Sequence, residues 1–249
     1  MRGRVITITT AGLLLVATPA VATTFDGTAG DDAITGTARA DVVRALGGSD
    51  FVRGLAGDDL LLAGAGHDEV LGGSGADTVR GRSGRDEIQG GQDGDAIFGG
   101  GAGDPMFGGG GDDEMYGGAG DDYVVGEAGP DALWGQGGDD GLTGGPGDDE
   151  IRAGTGDDWM TDWVETELAN PAPDDEDLVV AGPGKDFVGL SEGADVVRTG
   201  RGRDRINTDD DGAVDLVDCG AGRDRVVYSG GSQDPLDQLT GCEIVDVVG

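Results

Sequence analysis

Gly108-Gly109-Gly110-Gly111-Asp112-Asp113-Glu114-Met115-Tyr116 is followed at once by Gly117-Gly118-Ala119-Gly120-Asp121-Asp122-Tyr123-Val124-Val125. The two blocks are nine residues long and share the template Gly-Gly-x-Gly-x-Asp-x-U-x, in which U is a large apolar residue. Glycine crowds the positions ahead of the aspartate, and one apolar residue stands among polar neighbours. The pattern predicts a six-residue polar turn followed by a three-residue strand. Side chains alternate across a strand, so the eighth-position residue points inward while the seventh and ninth point outward. Glycine at positions one, two and four is expected to supply the left-handed backbone of a tight reversal.

Working outward, the same register runs without slip from Gly27 to Thr161, giving fifteen blocks. The sixth position is always aspartate: Asp32, Asp41, Asp50, Asp59, Asp68, Asp77, Asp86, Asp95, Asp104, Asp113, Asp122, Asp131, Asp140, Asp149 and Asp158. The eighth is always apolar, from Ile34 and Val43 to Ile151 and Met160. Twelve of the fifteen fourth positions are glycine, a periodicity that chance composition does not produce. Arg39 and Asp93 replace glycine, Pro105 removes a strand donor and Pro130 stiffens a turn. The eighth and ninth blocks are therefore expected to be the weakest part of the array.

The pattern lapses over 162–171, where an irregular turn or loop is expected around Trp163, Glu165 and Glu167. It resumes over 172–227 as a more degenerate array, with sixth-position Asp177, Asp186, Asp195 and Asp204, a two-residue insertion at Thr208-Asp209, then Asp215 and Asp224. No repeat is visible over 228–249, which reads as a C-terminal cap for the open end of a repeat stack. The only cysteines are Cys219 and Cys242, without nearby histidine, and one disulfide pinning the tail is the simplest reading. Closing a loop of that length is worth roughly 3 kcal/mol in the chain-entropy model.

Residues 1–22 read as a secretory signal peptide: Arg2 and Arg4, an apolar run from Val5 to Val16, and the small-residue site Ala20-Val21-Ala22. The run is short for a membrane span, so no span is expected in the mature chain. The chain carries 50 acidic and 16 basic residues, a net charge of -34. Low hydrophobicity with such a charge ordinarily leads to disorder, and a polyanion repels nucleic acid. Clustered carboxylates instead call for a hard cation with oxygen ligands. If two blocks make one coil, blocks n and n+2 stack as parallel strands about 4.8 Å apart. An ion between turns is then expected to take the sixth-position carboxylates of blocks n and n+2 and complete its shell with carbonyls of the glycine turns, so that binding energy becomes folding energy.

On these residues the chain resembles the hemolysin-type, or RTX, calcium-binding repeat proteins, whose signature is this nonapeptide. The resemblance is close over 27–161 and looser over 172–227. It implies an all-β, right-handed parallel β-roll, several Ca2+ ions held by the sixth-position aspartates and turn carbonyls, an extracellular location, and folding that awaits external calcium. The protease, lipase or toxin domains often joined to such rolls have no counterpart here, so their activities are not inherited.

His67, the only histidine, sits in a turn with no serine, cysteine or second base placed to work with it, and reads as an exposed spacer. Acid pairs such as Asp112-Asp113 recur with the repeat and share no single cleft, which argues against glycosidase chemistry. Phe98, Tyr116 and Trp134 are ninth-position residues spaced by one coil and are expected to form an outward aromatic ladder. The ladder either stiffens the sheet or offers a platform to a glycan or protein. The expected function is a secreted, non-enzymatic calcium-binding protein, structural or surface-associated. The alternatives are an adhesin-like module for glycan or protein and a non-catalytic partner of a secreted enzyme.

Overall fold

One inward side chain per nine residues is buried only if the block two places on lies directly above it. A computed structural model of the chain has this arrangement; it describes residues 4–6, 22–161, 176–190, 193–208, 213–228, 233 and 237–247. Successive blocks alternate between two all-parallel sheets, so that Ala96–Gly101, Glu114–Ala119 and Ala132–Gly137 are neighbours in one sheet, and Pro105–Gly110 and Tyr123–Ala128 in the other. The register is eighteen residues: Ile97 pairs with Met115 and Met115 with Leu133, while Met106 pairs with Val124 and Val124 with Leu142. All of these side chains are buried and meet in one narrow apolar core between the sheets. The fold is an all-β parallel β-solenoid with no helix among the described residues. It follows that no helix there is long and apolar enough to cross a membrane.

Three expectations need correction. From Phe51–Ala56 to Ala132–Gly137 the strands are six residues long, running from position seven through position three of the next block, whereas some others, such as Gly141–Thr143 and Trp159–Thr161, keep the expected three. Position one interrupts each ladder: Tyr116 pairs with Trp134 and Gly118 with Gln136, but Gly117 and Gly135 do not pair. The glycines also have two different tasks. Positions two and four take positive φ, as at Gly118 (115°) and Gly120 (121°), whereas position one does not. Where position one is glycine the reason is crowding: a Cβ on Gly117 would lie 2.4 Å from Asp122 Oδ2 and 2.9 Å from the Gly135 carbonyl oxygen, although Ala45, Ala63 and Ala153 are accommodated at this position in three blocks. Finally, the tail extends the solenoid instead of merely covering it. Gln238–Thr240 pairs with Leu216–Asp218 and Ile244–Val247 with Arg225–Tyr228, adding a further coil. The Cys219–Cys242 disulfide, with Cα atoms 5.2 Å apart, ties this coil to the one before it.

The expected loop at 162–171 and most of the expected signal peptide lie outside the described residues. Within the latter, Arg4–Ile6 forms a short strand beside Asp32–Thr35.

Non-glycine residues with positive φ occur at second positions along the array, at Leu46, Leu55, Arg82, Glu127 and Gln136, and at fourth positions only in the eighth and ninth blocks. Their fourth positions, Asp93 (φ 71°) and Ala102 (φ 85°), take the left-handed region without being glycine, while Arg39 avoids it. An L-residue with a Cβ pays roughly 1–2 kcal/mol there, partly offset by the lower chain entropy of the unfolded state relative to glycine. Ala102→Gly is therefore expected to raise stability by about 0.5–1 kcal/mol, measured as a higher urea midpoint with unchanged m-value. An unchanged or lower midpoint would refute the assignment of strain.

Candidate metal columns

The sixth-position aspartates stand at the ends of the strands, where the chain turns from one sheet to the other. Each is almost fully buried, no more than 5% exposed. Their backbones and side chains form two continuous ladders. The Asp95 N–H donates to Asp113 Oδ1 (2.7 Å) and the Asp113 N–H to Asp131 Oδ1 (2.8 Å). In the other column Asp104 donates to Asp122 (2.8 Å) and Asp122 to Asp140 (2.9 Å). One column runs Asp32, Asp50, Asp68, Asp86, Asp104, Asp122, Asp140, Asp158, Asp186, Asp204, Asp224. The other runs Asp41, Asp59, Asp77, Asp95, Asp113, Asp131, Asp149, Asp177, Asp195, Asp215. All twenty-one predicted aspartates are thus brought together, including those beyond 162–171, where Asp149 reaches Asp177 Oδ1 at 2.8 Å.

Two members were missed. The Asp215 N–H donates to Asp237 Oδ1 (3.1 Å) and the Asp224 N–H to Glu243 Oε2 (2.7 Å), so the last coil carries acids in the same role. Their spacing is off the nine-residue register, but each is followed two residues later by an apolar side chain, Leu239 or Val245, as in every regular block. That acid-x-apolar triplet was the available signal.

The ladder uses only half of each carboxylate. From Asp50 to Asp140, and at Asp158, Asp186 and Asp224, Oδ2 is buried and meets no hydrogen-bond donor. Burial is the main reason these carboxyls are hard to ionise. It pushes Asp59, Asp95, Asp104, Asp131, Asp140 and Asp186 up to about 7. Asp50, Asp77, Asp86, Asp113 and Asp122 rise to about 6. The ladder hydrogen bond opposes the shift, and neighbouring carboxylates add to it in most of them. A buried anion with an unmet lone pair is costly unless a cation or a proton meets it.

Where position one is glycine, a second oxygen lies beside the bare one. Asp113 Oδ2 and the Gly126 carbonyl oxygen are 2.2 and 2.6 Å from the point where a Cβ on Gly108 would sit, and Asp131 Oδ2 and the Gly144 carbonyl are 2.2 and 2.8 Å from the same point on Gly126. The missing side chain at position one keeps these oxygens uncovered, and the pair falls within one calcium coordination sphere, whose Ca–O bonds are about 2.3–2.6 Å. The donor set is all oxygen, which suits a hard cation. Since Oδ1 is committed to the ladder, an ion shared symmetrically by two carboxylates is not what the geometry offers; each turn offers one carboxylate oxygen and backbone carbonyl. Among the described residues no three acidic, imidazole or thiol groups cluster as a self-sufficient metal site.

Phe98, Tyr116 and Trp134 form the expected ladder, stacked at 5.0 Å and 4.5 Å with their planes within 7°. Arg80 covers the outer face of Phe98 at 5.1 Å, so the rings present edges to solvent and their faces to each other, as sheet stiffening requires. His67 Nδ1 accepts the Arg85 N–H (3.0 Å) in the place where Asp121 Oδ1 accepts the Asp139 N–H, a surface ladder in the fifth position.

No curated protein matches the chain with significance. The family model for the RTX calcium-binding nonapeptide repeat (4 copies) matches it repeatedly, at residues 26–61, 35–70, 45–79, 71–104, 98–133, 134–161, 174–206 and 190–212, together well over half of its length. With its glycine turns, paired sheets and two aspartate columns, the chain belongs to the family of RTX calcium-binding nonapeptide repeat proteins.

Proposed function

We propose that this protein is a secreted, non-enzymatic calcium-binding β-roll whose folding is completed by the ions in its two aspartate columns. The observation that carries the reading is the buried carboxylate with one oxygen bonded and one bare, repeated coil after coil. Calcium would be held by Asp Oδ2 and position-one carbonyls, as at Asp113 with Gly126, and supplies the charge that lets stacked carboxylates stay ionised. The chain's own residues do the rest: the ladder N–H fixes each carboxylate, and glycine at position one keeps the oxygens open. Removal of 1–22 would take away the Arg4–Ile6 strand and leave Asp32–Thr35 as a sheet edge. The role that fits is structural or surface-associated, with affinity on the order of 0.1–1 mM, the range of extracellular modules.

Circular dichroism tests this. Chelation at neutral pH is expected to abolish most of the β-sheet signal, and added calcium to restore it cooperatively; a signal indifferent to chelator would refute calcium-dependent folding.

A second reading, a binding face for glycan or protein, is favoured by a different set of rings from the predicted ladder. On the other sheet Tyr123 and Trp159 are 52% and 57% exposed and flank Gly141 in a single column.

A further inference from the structure

The two columns do not end as they run. In every block from Leu46 to Gly154 the second position has positive φ, but Thr28 and Thr37, the second positions of the first two blocks, do not. Their backbone N–H groups swing onto the aspartate of their own turn instead. The Thr28 N–H donates to Asp32 Oδ2 at 2.5 Å and its hydroxyl donates to the same oxygen at 2.9 Å. Thr37 treats Asp41 Oδ2 identically, at 2.6 and 2.9 Å. Oδ2, bare in the next turns at Asp50 and Asp59, is thus doubly bonded in these two, although Asp41 keeps a bare buried Oδ1 because no aspartate precedes it in its column.

The far end of one column shows the same device. The Thr208 hydroxyl donates to Asp215 Oδ2 at 3.0 Å, and the buried Tyr228 hydroxyl donates to Asp237 Oδ2 at 2.8 Å. Four side chains, two of them at the same repeat position, supply a hydroxyl to the oxygen that lacks a donor from Asp50 to Asp140. A carboxylate oxygen already accepting protein hydrogen bonds is satisfied without a cation, and a metal would have to displace them.

We propose that calcium fills the interior of the columns, and that at three of their four ends Thr28, Thr37, Thr208 and Tyr228 occupy the oxygen that would face the ion, leaving those end turns without metal. The inference rests on the calcium-binding reading above. The protein's ends then hold their turn geometry without an ion at the place where a terminal site would be half built and weak.

The test is a long-wavelength anomalous difference map from crystals of the whole protein grown in calcium. Peaks are expected beside the Oδ2 atoms of the interior aspartates from Asp50 onward, and none beside Asp32, Asp41, Asp215 or Asp237. Peaks of interior height at those end aspartates overturn the inference and leave calcium binding intact; no peak anywhere overturns the calcium reading itself. Thr28→Gly gives a second arm, because it converts the first turn into Gly-Gly-Ala-Gly-Asp-Asp, the sequence of residues 117–122. Native mass spectrometry is expected to count one more calcium ion per chain in this variant. A folded variant with the wild-type count counts against the capping role of Thr28.

Discussion

Stripped of calcium, the chain is expected to gain β-sheet circular dichroism when the pH is lowered from about 7.5 to about 5, the reverse of ordinary acid unfolding. The column carboxyls have folded-state values raised from 3.8 to about 6 or 7, first by burial. Between the unfolded and folded values the native chain binds more protons than the unfolded one, so stability falls as pH rises through that window. Below about 4 both states are protonated and the penalty vanishes; above about 7 it is complete. At pH 5 a proton does on each Oδ2 part of what calcium does at neutral pH, and the solution is still clear of the isoelectric point near 4.1. Calcium and protons meet the same oxygens and each favours the folded chain, so the calcium concentration needed for half-folding should fall as pH drops from 7 to 6. A metal-free chain whose stability increases with pH across this range would contradict the burial argument.

The second large effect separates the two halves of one carboxylate. Asp113 Oδ1 accepts the Asp95 N–H, while Oδ2 is bare. Asp113→Ala removes both functions and strands a buried N–H, a loss of about 1–3 kcal/mol with or without metal. Asp113→Asn retains an acceptor for Asp95 and replaces the bare anion with a neutral amide that can donate to the Gly126 carbonyl. Without calcium at pH 7.5 the Asn variant should show at least as much β signal as wild type. In 10 mM calcium it should bind one ion fewer and lose about 1.4–2.7 kcal/mol, the linkage energy of a site with the affinity expected above. Chelated and saturated samples of both variants, compared by circular dichroism and calcium counting, decide the matter. Equal loss in both conditions for Asp113→Asn would show that the carboxylate's charge is not what the ion answers.

Most of the architecture was legible because the nine-residue period fixes both the coil and the column. Once Asp113 is assigned to one turn and Asp122 to the other, their partners one coil away follow, and the ladders confirm them. What the letters could not carry is geometry within a residue. Aspartate at position six does not say that Oδ1 is spent on the previous coil, and glycine at position one looks like glycine at position two although one answers to crowding and the other to φ. The same limit hid the threonines: Thr28 reads as a departure from the template until its N–H and hydroxyl are seen on Asp32. Asp237 and Glu243 escaped because tertiary pairing, tied down by the disulfide, holds a coil whose spacing no longer repeats.

The columns count coils and are indifferent to residues. Asp149 and Asp177 are 28 positions apart and Asp195 and Asp215 are 20 apart, yet their ladder bonds, 2.8 and 3.1 Å, match those of partners 18 apart. Added chain between coils therefore costs little beyond loop closure, about 0.6 kcal/mol for each doubling of its length. Such a molecule can grow in two independent ways, by duplicating eighteen-residue turns along its axis and by lengthening a single turn sideways. The first changes how many aspartate turns the columns contain, and the second can add new surface without disturbing one of them.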